Sequence, residues 1–168
     1  MSDHDRAPKS PRRAHGRAVR KPARAAAPSL GALYHLDPVD RIRLVKRGVP
    51  AAVVERISKD MAIGKAKLYE TLGLAPATVN RKLREAQVLS QDDSERVLGI
   101  ARLIGEVERM VQESGDAKGF KPAEWVAAWL DRPHPALGGR PPAELMDTTD
   151  GRQMVSDLLA RIASSAYA

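Results

Sequence analysis

The side chains in this sequence best placed to do chemistry are hydrogen-bond donors on one face of a short helix. Val79 and Leu83 lie four residues apart and define its buried side. The opposite side then carries Ala77, Thr78, Arg81, Arg84 and Glu85, with Asn80 and Lys82 at the flanks. Small residues at the start of such a helix allow close approach to a surface, and the donors that follow match base edges and phosphate oxygens. Arg81 could donate bidentately to guanine, Thr78 or Asn80 could reach a base or phosphate, and Lys65, Lys67, Lys82 and Arg84 suit backbone contacts. The preceding helix, Lys65 to Leu72, is joined to it by Gly73-Leu74-Ala75, which gives the pair the form of a helix-turn-helix. A plainer reading is a helical hairpin with a solvated charged face. Residues 56–87 hold seven basic and three acidic residues, a modest bias, and Glu85 would face phosphate.

A second constellation runs from Trp125 to Asp147, WVAAWLDRPHPALGGRPPAELMD. Trp125 and Trp129 are the chain's two tryptophans and project from the same face of a short helix. Tryptophan and arginine dominate many binding interfaces, but an aromatic pair at this spacing also serves as core, and at least one of the two is expected there. The helix must stop before Pro133, because proline disfavours helical geometry in the residue preceding it. Leu137, Gly138, Gly139, Arg140 and Pro141 then form a tight corner before Pro142 restarts a helical turn. Two readings of that corner are open. Exposed amides could bind an anion, although no strand precedes them and no Gly-Lys-Ser/Thr follows. A rigid corner that presents Arg140 and Pro141 and packs the C-terminal helix is preferred.

Catalysis finds no support. His4 and His15 lie in a tail, His35 in a linker and His134 between prolines, none with a partner at ligand or catalytic spacing on a helix. Asp92, Asp93 and Glu95 are explained by capping and the helix dipole, and Glu106 with Arg109 has an ordinary surface spacing. There is no cysteine, hence no disulfide and no thiolate metal site. No cofactor is expected. No apolar run approaches the roughly 20 residues of a membrane span, so a soluble, cytoplasmic protein without membrane contact is expected.

The elements that must position these residues are all helical. Helices are predicted over Pro38–Arg47 (Val39, Ile42, Val45), Pro50–Met61 (Val53, Val54, Ile57, Met61), Lys65–Leu72, Pro76–Ala86, Ser90–Ser114 and from Pro122, with a final one after Asp147 as N-cap. Strand signals are nearly absent, so the fold is all-α. Ser90 with Asp93 has capping-box spacing and opens the longest helix. That helix carries two apolar stripes, Val97, Ala101, Ile104 and Val111 beside Ile100, Leu103, Val107 and Met110. Such width means either a central core helix or a dimer interface.

The formal charge of +7 is concentrated at the start. Residues 1–28 hold eight Lys or Arg against two Asp, whereas residues 29–168 hold twenty basic against nineteen acidic. With no aromatic residue and only Val19 as a branched aliphatic, residues 1–29 are expected to be disordered. They form either a basic arm for nucleic acid or a solvated extension. The expected organisation is this arm, a DNA-binding helical region over 30–88, and a long helix plus a second helical unit over 89–168.

The run Trp-Leu, then Pro-Ala-Leu-Gly-Gly-Arg-x-Pro-x-Glu-Leu, continuing through Thr148-Thr149-Asp150-Gly151, resembles the toxin-binding domain of the Xre/MbcA/ParS antitoxins. LSQDDSERVLGIARLIGEVERM, from Leu89 to Met110, extends the resemblance, which covers about Val49 to Ala163. It implies a type II antitoxin: a dimer whose Xre-like helix-turn-helix represses its operon and whose C-terminal half masks the NAD-binding cleft of a RES-domain toxin. Trp125, Trp129, Leu137 to Pro141 and Tyr167 are the candidate toxin contacts. One departure is that Ala75 and Pro76 stand where the family often has a Ser or Thr cap. The rival reading is a free-standing helix-turn-helix regulator without a toxin. Deleting residues 1–28 is expected to lower the salt-sensitive, sequence-independent part of DNA affinity. A salt dependence unchanged by the deletion would reduce the arm to a solvated extension.

Overall fold

Most elements of the computed structural model begin or end at a proline, glycine or capping residue already visible in the chain. The structure describes residues 30–34, 36–115 and 117–166, so the basic arm and Tyr167 lie outside the described residues. Among the described residues eight α-helices follow one another: α1 (Leu30–Tyr34), α2 (Pro38–Arg47), α3 (Ala52–Asp60), α4 (Lys65–Leu72), α5 (Pro76–Arg84), α6 (Gln91–Ser114), α7 (Pro122–Leu130) and α8 (Thr149–Ala166). Two single 3-10 turns, Pro135–Leu137 and Pro142–Leu145, shape the connection from α7 to α8. No strand forms among the described residues; Pro50 and Val88 make an isolated antiparallel bridge.

Caps fix the helix ends. Asp37 accepts from the amides of Val39 and Asp40 at 2.8 and 2.9 Å, and the Asp40 amide in particular holds its carboxyl below the usual range. Ser90 Oγ accepts from the Asp93 amide at 3.2 Å, as its spacing requires. The N-cap of α8 is Thr148 rather than Asp147. Thr148 Oγ1 accepts from the Gly151 amide at 3.1 Å, three residues on, where a cap oxygen must reach. In α2 the helix is present, but its three-residue apolar spacing does not make a buried stripe. Steps of three fall short of the 3.6-residue turn, so the row winds around the helix. Leu44 and Val45 pack inward, whereas Val39 and Ile42 are 55% and 54% exposed.

The architecture is organised around α6, which packs against α1, α2, α3, α7 and α8. Val97, Ile100, Ala101, Leu103, Ile104 and Val107 are all buried, so over this span both apolar stripes are covered within the chain. The central-helix reading of its width describes that part. Ile57, Leu68, Leu72 and Val79 join the core from α3, α4 and α5; Val126, Leu130, Met146 and Val155 join it from the C-terminal side. One continuous core therefore underlies both halves.

Glu106, expected at the surface, is buried. Arg102 Nε donates to it at 2.8 Å, and Ser156 Oγ on α8 lies 2.8 and 3.1 Å from its two oxygens. Near the start of α6, fully buried Ser94 accepts from the Val49 amide at 2.9 Å, anchoring the α2–α3 connection. Ser94→Ala removes the acceptor and strands a buried amide, which costs about 1–3 kcal/mol. A lowered melting temperature is the expected outcome, and an unchanged melt would show that the amide finds another acceptor.

Candidate functional site

The helix-turn-helix is built from α4 and α5. At the turn, Gly73 adopts φ 61°, and the Leu74 amide returns to the Tyr69 carbonyl at 2.8 Å, closing α4 as a left-handed cap. Leu68, Leu72, Leu74 and Val79 bury the inner faces of the pair. Pro76, Ala77, Arg81, Arg84 and Glu85 are left exposed on α5, with Thr78, Asn80 and Lys82 half-buried.

The seven candidate DNA contacts are held differently. Arg81 pairs with Glu85 at 3.1 Å and reaches Gln87 at 3.5 Å. This exposed i, i+4 ion pair contributes little to stability and can give way to a guanine or phosphate. Arg84 is exposed beside it. Lys82 Nζ donates to the Val88 carbonyl at 2.8 Å, pinning α5 to the connector before α6. Lys65 pairs with Glu55 at 3.4 Å. Lys67 meets Asp131, at the end of α7, at 3.1 Å. The hydrogen bond that Lys67 Nζ donates to Asp131 raises the Lys67 pKa. The pair therefore supports the folded chain at and below the ordinary lysine pKa and is lost as pH rises through the raised value. Exposure keeps that contribution small.

Asn80 is positioned by a residue that spacing did not single out. Tyr69 donates its hydroxyl to Asn80 Oδ1 at 2.9 Å, which leaves the Asn80 amide group as the outward donor. Burial pushes the Tyr69 phenol up from its ordinary value. The signal available in sequence was a tyrosine on the first helix of the pair, but its partner depends on how the two helices cross.

In the C-terminal half, Trp125 and Trp129 stack with centroids 5.9 Å apart and ring planes 9° from parallel. Trp129 is core, at 8% exposed, while Trp125 is half-buried and meets the Phe120 ring at 6.4 Å. The corner after α7 is closed on itself. The Ala136 amide donates to His134 Nδ1, the Leu137 and Gly139 amides to the His134 carbonyl, Gly138 to Pro135, and Arg140 to Leu137. The amides from Ala136 to Arg140 are thus all engaged, which removes the phosphate-loop reading of that turn. Gly138 and Gly139 both have positive φ, 64° and 79°. Arg140 stands exposed at the tip, with Leu137 and Pro141 half-buried beneath it. Among the described residues no three His, Asp or Glu side chains converge where a metal ion could be held. No described helix is long and apolar enough to cross a membrane.

The α4–α5 pair thus leaves a polar helix face exposed, and the C-terminal half carries a preformed aromatic cluster on the same core. Residues 40–102 match the antitoxin Xre-like helix-turn-helix domain, and residues 116–164 match the antitoxin Xre/MbcA/ParS C-terminal toxin-binding domain. The chain is 47% identical over 137 residues to a protein of Sphingobium sp. (strain YBL2) named Prs ADP-ribosylating antitoxin, covering 82% of this chain and 86% of that one. It is 26% identical over 123 residues to antitoxin Xre of Yersinia enterocolitica serotype O:8 / biotype 1B (strain NCTC 13174 / 8081), covering 73% and 78%. The chain belongs to the Xre/MbcA/ParS antitoxin family. It is an antitoxin of a toxin–antitoxin system, with a DNA-binding half and a toxin-binding half, and is not an enzyme.

Tyr69→Phe is expected to lower affinity for a duplex from the protein's own promoter several-fold while costing about 1 kcal/mol of stability. Fluorescence anisotropy and thermal melting measure the two effects separately. A loss of stability with full DNA affinity would make the Tyr69–Asn80 bond purely structural.

Proposed function

We propose that this antitoxin neutralises a RES-domain toxin by covering its NAD-binding cleft and, as a homodimer, represses its own operon. Residues 30–88 form the DNA-reading half and residues 89–168 the toxin-binding half, behind the basic arm of residues 1–29. The observation that carries the reading is one chain holding both an exposed arginine face on α5 and, over residues 116–164, a match to the toxin-binding domain. The Sphingobium relative, whose name joins antitoxin to Prs ADP-ribosylation, supports an NAD-consuming, ADP-ribosylating partner.

On DNA, Arg81 donates to a guanine, Asn80 and Thr78 reach a neighbouring base or phosphate, and Arg84 closes on the backbone. Lys82, Lys65 and Lys67 add positive charge around that face. Two copies suit this geometry, because paired recognition helices address half-sites about one DNA turn apart. On the toxin the action is steric. Trp125, Trp129, Leu137 to Pro141 and Tyr167 belong to the half that lies over the cleft, and NAD chemistry stays with the partner. A DNA partner and a toxin partner both support a cytoplasmic location.

Arg81→Ala is expected to cost about 1–3 kcal/mol in operator binding, with toxin neutralisation unchanged because α5 is remote in role from the masking surface. Anisotropy on a promoter duplex and growth in cells expressing the toxin read the two functions in parallel. Unchanged operator affinity would move the recognition face away from Arg81.

A further inference from the structure

Beyond the corner and the tryptophan pair, the C-terminal half contains a cleft of about 270 Å³. It opens between the last turns of α6, Phe120, α7 and the end of α8. Met110, Val111, Phe120, Trp125 and Ile162 form its walls, and among the described residues of the lining Ser114 is the single polar one. Small-molecule sites occupy about 300–1,000 Å³, so this opening suits one or two side chains better than a cofactor. The Trp125 ring is fixed before any partner arrives, stacked on Trp129 and met by Phe120. A preset aromatic surface loses little entropy on binding. Met110 lends one wall an adaptable thioether chain.

What covers the cleft follows from where it lies. Phe120, Trp125 and Ile162 fall within residues 116–164, the segment matching the toxin-binding domain. The cleft is thus continuous with the half of the chain that meets a toxin. The other prominent feature of that half, the corner at residues 134–140, is closed on itself through its own amides.

We propose that this cleft is the anchor point of the toxin, receiving an aromatic or branched aliphatic side chain from it; the inference rests on the toxin-partner reading above. The anchor side chain seats against Trp125 and Phe120, between Val111 and Ile162, and its burial excludes water from the centre of the interface. Val111 lies outside the matched toxin-binding segment, so the inference extends the contact surface onto the central helix.

The test is calorimetric titration with a catalytically inactive form of the adjacent reading frame's product. Val111→Glu and Ile162→Glu each place a carboxylate in the cleft wall at half-buried positions. Each is expected to weaken binding at least tenfold, with promoter-duplex affinity unchanged and a cooperative melt retained. Wild-type affinity in both variants would overturn the cleft as the anchor, whereas a wild-type chain that fails to bind would instead overturn the toxin-partner reading. A second measurement covers loss of fold in either variant. The wild-type chain labelled with 5-fluorotryptophan carries two tryptophans and gives two fluorine resonances, assigned with Trp125→Phe. Toxin is expected to shift the Trp125 resonance; a resonance unmoved at saturation overturns the proposal. So does dissociation of a homodimer by Val111→Glu with toxin affinity retained, which would give the cleft to a second copy. A Trp125 shift on deleting residues 167–168 without toxin would give it to the chain's own tail, and that also overturns the proposal.

Discussion

A helix with two apolar stripes has to be enclosed, and the enclosure of α6 is the constraint from which the rest of this structure follows. No single neighbour covers so wide a face. Helices α2 and α3 approach from the N-terminal part of the chain, and α7 and α8 from the C-terminal part. Each half buries its apolar surface against the same helix, so neither has a complete core alone. Buried polar contacts fix the register of this packing. Ser94 holds the Val49 amide on one side, and the Glu106 carboxylate meets Ser156 of α8 on the other. A buried carboxylate is tolerable only when its oxygens are satisfied, and here an arginine and a hydroxyl satisfy them.

The same enclosure explains how two binding functions coexist on a small chain. With its apolar residues committed inward, α5 can give its outer face to polar donors. The halves also touch near their functional surfaces. Arg96 on α6 donates to the Gly73 carbonyl of the helix-turn-helix turn at 2.6 Å, and Lys67 pairs with Asp131 where the tryptophan helix ends. The DNA-reading helix pair is therefore braced by the central helix and by the toxin-binding half.

Much of this was legible in the sequence because its causes are local. Ser90 with Asp93, Gly73 after α4, and Pro38, Pro76 and Pro122 at helix starts act through backbone geometry within a few residues. The exposure of Arg81 and Arg84 followed from the burial of Val79 and Leu83 on the opposite face. What escaped depends on distant partners. Glu106 has the spacing of a surface pair with Arg109, whereas in the structure it pairs with Arg102 and meets Ser156, fifty residues away. Tyr69 acquires a role through Asn80 on the next helix, and Lys67 is drawn to Asp131 by the packing of the two halves. At α8 two adjacent residues could cap, and the reach of Thr148 Oγ1 to the Gly151 amide decides between them. Leu30–Tyr34 is too short for periodicity to register, yet Leu33 is buried in the core.

Steric masking is the central claim, and stoichiometry tests it most directly. The measurement is NAD turnover by the product of the adjacent reading frame, titrated with this chain at concentrations well above the dissociation constant. Masking requires activity to fall linearly to zero at a fixed molar ratio, with NAD and the antitoxin competing for the toxin. Turnover that persists in a saturated complex would contradict it and leave DNA binding as the protein's principal activity.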